Sequence, residues 1–122
     1  MSKNFVELGA EADERARTLF KEIPDFAKAL GQSRMAAYRD GALDAATKEL
    51  MALVIGIVMR CEGCITHHAK LCVKRGVTRE QLAEAIAVCI QMGGGPAMAY
   101  GGEALAAYDQ FAADWEKKQA AR

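Results

Sequence analysis

From Phe5 onward the apolar residues return in steps of three and four. Phe5, Leu8, Ala12, Ala16, Leu19, Phe20 and Ile23 share one side of a helical repeat, which predicts an amphipathic helix that Pro24 ends or restarts. A second helix is predicted from Pro24 to about Arg39, with Asp40-Gly41 turning the chain. Asp44 is the expected N-cap of a third, which carries Glu49 in its early part and then LMALVIGIVM, a run apolar on every side and therefore expected to be buried. A fourth begins close to Arg60 and Cys61 and stops at Gly76, while Thr78 with Gln81 makes a capping box for a fifth that reaches Met92. Gly93-Gly94-Gly95-Pro96 is the sharpest break. Beyond it Tyr100, Ala104, Tyr108, Phe111 and Trp115 form the apolar stripe of a last helix, whose tail EKKQAAR is expected to fray. No period-two strand pattern, internal repeat or low-complexity tract is present. The pattern predicts an all-α bundle of about six helices.

Composition narrows what such a bundle does. A chain of 122 residues is expected to be one domain over 1–122, and 52% hydrophobic content fills a core with enough left for a subunit interface. The run from Leu50 to Met59 and the aromatic stripe of the last helix are together more than one small domain buries, which predicts a homo-oligomer. Sixteen basic and sixteen acidic residues cancel, so no field of either sign favours nucleic acid or an anionic membrane, and a small molecule or another protein is the expected partner. The start MSKNFVELGAEADERAR becomes charged before any apolar run develops, and Leu50 to Met59 is too short to span a bilayer. A cytoplasmic location is expected. In that reducing compartment four cysteines are poor structural bridges, so a CxxC points to catalysis, redox sensing or metal binding.

The chemistry concentrates in CEGCITHH, residues 61–68, with Glu49 twelve residues ahead of Cys61. Two thiols at i and i+3 can close a disulfide across one helical turn, and a nearby imidazole and carboxylate can manage the proton a thiol loses before it reacts. On a helix advancing about 100° per residue, His68 falls angularly between Cys61 and Cys64, and His67 about 60° past Cys64 on the other side. Both histidines neighbour Cys64 by spacing, His68 at i+4 and His67 at i+3, so spacing alone does not choose between them. A position at the helix start favours thiolate. A zinc site from Cys61, Cys64, His68 and Cys72 is disfavoured, because Cys61 and Cys72 would stand about 16 Å apart along one helix. Cys72 and Cys89 sit among Leu71, Val73, Val88 and Ile90 and read as small buried hydrophobes. Glu49 alone reads as a first-turn acid complementing the helix dipole; the apolar run after it also allows a partly desolvated carboxylate suited to proton transfer. The triple glycine lacks the preceding strand and following Lys-Ser/Thr of a phosphate loop.

Glu49, then Cys61-Glu62-Gly63-Cys64 and His68, followed by AKLCVKRGVTREQLAEAI and a glycine-rich break, resembles the AhpD-like alkylhydroperoxidase branch of the carboxymuconolactone decarboxylase family over about residues 43–105. The resemblance implies an all-helical fold assembled as trimers or hexamers, hexamer preferred, and a thiol peroxidase whose CxxC cycles between dithiol and disulfide. It assigns Cys61 and Cys64 as the redox pair and Glu49 and His68 as a proton relay. It implies a small-molecule hydroperoxide as substrate and a dithiol reductant, or a carrier protein bearing one, as electron donor. Neither cofactor nor metal is expected. The AhpD pattern has a second histidine just before the second cysteine, where this chain has Gly63. Members that decarboxylate a lactone generally lack the CxxC, so the thiols argue against that activity; a decarboxylase-like enzyme and a non-enzymatic redox-sensing or metal-binding oligomer stand as the alternatives. Within the pair, adjacency to His68 selects Cys64 as the attacking sulfur and Cys61 as the resolving one, while the helix start favours the opposite order.

Overall fold

The computed structural model describes residues 3–122, in which six α-helices and no β-strand occur; Met1 and Ser2, the first residues of the charged N-terminal stretch, lie outside the described residues. The helices are α1 (Phe5–Glu22), α2 (Pro24–Tyr38), α3 (Ala45–Val58), α4 (Glu62–Lys74), α5 (Arg79–Gly93) and α6 (Gly95–Ala120). Their starts follow from the caps. Asn4 accepts from the N–H of Glu7, Asp44 from that of Thr47, and Thr78 closes a reciprocal capping box with Gln81, so orphan donors of three helices are satisfied by side chains. Pro24 occupies the first turn of α2, where its missing N–H costs nothing. The glycine-rich break is a single residue: Gly94, at φ 70°, separates α5 from α6.

The core lies where α3, α4, α5 and α6 meet. Leu53 and Ile57 from α3, Ile65, Ala69 and Cys72 from α4, Leu82, Ile86 and Cys89 from α5, and Ala97, Ala104, Ala107 and Phe111 from α6 are buried in one cluster, capped by Phe5 of α1. Small residues let the helices approach. A Cβ built on Gly101 would stand 2.5 Å from Cγ2 of Ile86, so glycine is required for the α5–α6 crossing. Tyr108 of α6 ties down the loop after α4 by donating to the carbonyl of Val77 (2.6 Å).

Three expectations need correction. The run Leu50–Met59 is not buried all round: Met51, Ile55, Val58 and Met59 are about half exposed or more, because a helix at the edge of a four-helix core has partners on one side only. The predicted stripe of α1 is buried at Phe5 but opens toward its end, where Leu19 and Ile23 are exposed, and α2 buries no residue at all. The tail EKKQAAR is helical almost to its end: α6 runs on to Ala120, with Lys117 and Lys118 in the last turn complementing the helix dipole and Lys118 pairing with Asp114 (3.0 Å).

Candidate active site

The site begins with the way α3 ends. Arg60 takes the left-handed conformation (φ 56°), the N–H of Cys61 reaches back to the carbonyl of Gly56 (3.0 Å) and that of Arg60 to Ile57 (3.1 Å). These two bonds are a Schellman stop, with arginine where glycine is usual. The turn sets Cys61 in extended backbone as the N-cap of α4, not within the helix, which corrects the angular picture drawn from an uninterrupted helix. Its Sγ takes the place of a capping oxygen and accepts from the N–H of Cys64 (3.1 Å). Cys61 and Cys64 are joined by a disulfide across a Cα–Cα distance of 5.2 Å, and both are half-buried. Gly56 makes room for this end: a Cβ there would stand 3.1 Å from Cβ of Cys64. The helix N-terminus and the Cys64 N–H both favour negative charge on Cys61 once the disulfide opens.

One turn further along α4 lies His68, whose Nδ1 is 2.9 Å from Oε2 of Glu49 on α3. Glu49 is buried with 2% of its surface exposed, and the imidazole is its polar partner. A neutral imidazole that donates its Nδ1–H to an ionised Glu49 keeps Nε2 as its free acceptor nitrogen. Tyr38 of α2 stacks on the ring at 5.9 Å between centroids, and the His67 ring meets it edge-on at 4.9 Å. Desolvation, then the neighbouring His68, holds His67 below the ordinary imidazole range, although its edge reaches solvent. Burial, then the Glu49 charge, raises the Tyr38 phenol.

Glu49, Tyr38, His67 and His68 line a cleft of about 600 Å³ whose rim includes Arg34, Arg39 and Arg75. The cysteines are not part of that lining; Cys64 lies one turn of α4 before His68 and Cys61 about two, at the N-cap. Among the described residues no three His, Cys, Asp or Glu side chains converge on a point able to hold a metal ion. Cys72 and Cys89 are buried, and burial, reinforced by the Glu49 charge, pushes the Cys72 thiol up to about 12.

The structure therefore brings the four residues singled out from the sequence into two adjacent pairs, Cys61 with Cys64 and Glu49 with His68. Sequence reasoning missed Tyr38, the cleft arginines and the strained turn at Arg60. A family model described as the carboxymuconolactone decarboxylase family matches residues 24–107, a span that holds both pairs and Tyr38. The chain belongs to this family. It is 36% identical to an apo carboxymuconolactone decarboxylase family protein from Legionella pneumophila, with a TM-score of 0.87 over 91% of this chain and 99% of that one. A family protein from Thermotoga maritima, named as a candidate in antioxidative response, gives a TM-score of 0.66 at 34% identity over 75% of this chain and 94% of that one. The alkyl hydroperoxide reductase AhpD of Corynebacterium aurimucosum is 38% identical over 64 residues, 52% of this chain and 36% of that protein. An uncharacterized protein of Cupriavidus necator is 45% identical over 74 residues, 61% of this chain. The match spans 66% of that relative's length.

Within this carboxymuconolactone decarboxylase family member, the position where AhpD has its second histidine is structurally vacant. Gly63 lies in the first turn of α4, exposed, and a Cβ built there meets nothing within 4 Å. What the structure places near this position is the Glu49–His68 pair, Nδ1 to Oε2 at 2.9 Å.

Proposed function

We propose that this protein is a thiol peroxidase that reduces a small hydroperoxide through a Cys61–Cys64 dithiol–disulfide cycle. The observation that carries the reading is the disulfide at the N-terminus of α4 with a buried carboxylate–imidazole pair one turn away. Nε2 of His68, its ring oriented by the Glu49 contact at Nδ1, takes the proton from the Cys64 thiol. The Cys64 thiolate attacks the terminal peroxide oxygen; the S–O bond forms, the O–O bond breaks, and the departing alkoxide receives the proton from His68 as alcohol. Cys61 then displaces hydroxide from the Cys64 sulfenic acid, releasing water and closing the disulfide. A dithiol reductant, free or borne by a carrier protein, attacks Cys64 Sγ, and the cap position stabilises Cys61 as the leaving thiolate. The two directions of charge stabilisation thus fit Cys64 as the sulfur that meets substrates and Cys61 as the sulfur that resolves.

The active form is a homo-oligomer, with a hexamer preferred. Met51, Ile55 and Val58 fall on one face of α3, Val88 and Met92 follow on α5, and all are exposed in the single chain, more apolar surface than a lone small protein ordinarily shows to water. Light scattering should give a multiple of the chain mass at micromolar concentration; a monomer removes the assembly.

Steady-state consumption of tert-butyl hydroperoxide with a dithiol such as dihydrolipoamide tests the enzymatic reading. Turnover that depends on both cysteines is expected. Oxidation of the pair without turnover points instead to a redox sensor.

A further inference from the structure

The cleft over the Glu49–His68 pair carries more positive charge than that pair uses. Arg34 and Arg39 come from α2 and its C-cap, and Arg75 from the C-cap of α4. Among the described residues no carboxylate lies within ion-pair distance of any of these three guanidinium groups. The two acids that share the cleft are engaged elsewhere, Glu49 with His68 (2.9 Å) and Asp40 with the N–H of Ala45 (2.8 Å). Lys48 stands behind the rim, donating to the carbonyl of Arg39 (2.6 Å), and brings a further positive charge. The same cleft is lined by the less polar Met35, Tyr38 and Leu71.

Unpaired guanidinium forks facing one concavity match a planar anion, and an apolar wall matches a hydrocarbon body. A concave space of about 600 Å³ is the size of a small-molecule site. We propose that the cleft is a binding site for a small organic carboxylate, which makes the peroxidase substrate a hydroperoxide carrying a carboxylate at its far end. The substrate clause rests on the peroxidase reading; the anion site stands on the cleft alone. Arg75 follows His68 by seven residues on α4, about 10 Å along the axis, so an aliphatic body of that length anchored at the rim ends beside the imidazole. Cys64 lies about 6 Å further on. The carboxylate is a spectator: S–O formation, O–O cleavage and protonation of the alkoxide by His68 proceed as above.

The test pairs binding with reactivity. Calorimetry compares octanoate with octan-1-ol on the wild-type protein and on an Arg39→Gln/Arg75→Gln variant whose helicity is checked by circular dichroism. Single-turnover kinetics of the reduced wild-type protein compare 8-hydroperoxyoctanoate with its methyl ester, and tert-butyl hydroperoxide reports the chemistry without an anion. About tenfold tighter binding of octanoate than of the alcohol, about tenfold faster reaction of acid than ester, and loss of the binding preference in the variant are expected. Wild-type protein that consumes tert-butyl hydroperoxide but treats acid and ester alike, and binds octanoate no better than the alcohol, overturns the proposal and leaves the peroxidase reading intact. Protein that consumes no hydroperoxide yet binds octanoate through the arginines removes that reading and upholds the anion site.

Discussion

After α3 and again after α4 the chain turns through the same two backbone bonds. At the first turn Cys61 reaches Gly56 and Arg60 reaches Ile57; at the second Val77 reaches Cys72 (3.0 Å) and Gly76 reaches Val73 (3.2 Å). The left-handed residue is Arg60 in one and Gly76, at φ 82°, in the other. A side chain in that conformation costs on the order of 1 kcal/mol, so the turn that delivers the candidate redox pair is strained and the turn that closes the core is not. The cysteines beside the two turns differ in the same sense. Cys61 stands at a helix N-terminus with its Sγ accepting an N–H, whereas Cys72, eleven residues on, is sealed among apolar side chains with its thiol pushed up to about 12. Identical residue types are thus poised for charge at one end of α4 and denied it at the other, and the environment decides which is chemistry.

The contrast breaks most completely at the cysteines themselves. Cys64→Ser should fail to consume peroxide at a comparable rate, whereas Cys61→Ser should consume one equivalent and stop at a trappable sulfenic acid; a reactive Cys64→Ser reverses the two roles. Next in size is the reactivity gap between the ends of α4. In the reduced protein at about pH 8, iodoacetamide should label Cys61 and Cys64 and spare Cys72, whose thiolate fraction there is about one in 10⁴. The same burial has a stability consequence. The unfolded thiol ionises from about 9 while the folded one holds its proton to about 12, so the unfolded state binds fewer protons in between, and stability should fall as pH rises through that window. Alkaline unfolding of Cys72→Ala measured beside wild type isolates that contribution.

Removing the proton relay is a smaller change. His68→Ala and Glu49→Gln should each slow the first step about 100-fold at neutral pH with the helical spectrum unchanged, and equal single-turnover rates in wild type and His68→Ala would refute the relay. The smallest effects belong to the turns. Gly76→Ala should cost about 1 kcal/mol in denaturant unfolding, while Arg60→Gly should leave stability level or raise it by up to about 1 kcal/mol. A clear loss in Arg60→Gly would mean that the arginine side chain supports the turn through contacts of its own.

Much of this architecture was legible in the sequence because it is local. The capping box at Thr78, the cap at Asp44, the stop at Gly76 and the break at Gly94 are written in adjacent residues, and the structure places helix ends at each. The pairing of Glu49 with His68 joins two helices and came from the family spacing; periodicity alone would have left Glu49 as a first-turn acid. What the pattern missed is what needs three dimensions. Tyr38 and Arg34 lie on α2, which buries nothing, so no apolar signal marks its role over the imidazole. Arg60 gives no glycine to announce a left-handed turn, so the sequence puts the helix start close to Arg60 and Cys61 without marking Cys61 as the cap. The run of α3 misleads for the opposite reason: hydrophobicity alone does not say which face packs on the core, and Met51, Ile55 and Val58 stay exposed in the single chain.

The central claim is that Cys61 and Cys64, and not the core cysteines, carry the redox cycle. It is tested most directly by anaerobic thiol titration of the fully reduced protein before and after one equivalent of hydroperoxide, followed by peptide mapping. The account predicts that the four thiols per chain fall to two, with Cys61 linked to Cys64 and both Cys72 and Cys89 recovered free. Recovery of Cys72 or Cys89 as the principal oxidised partner, or no loss of thiol at all, would contradict it.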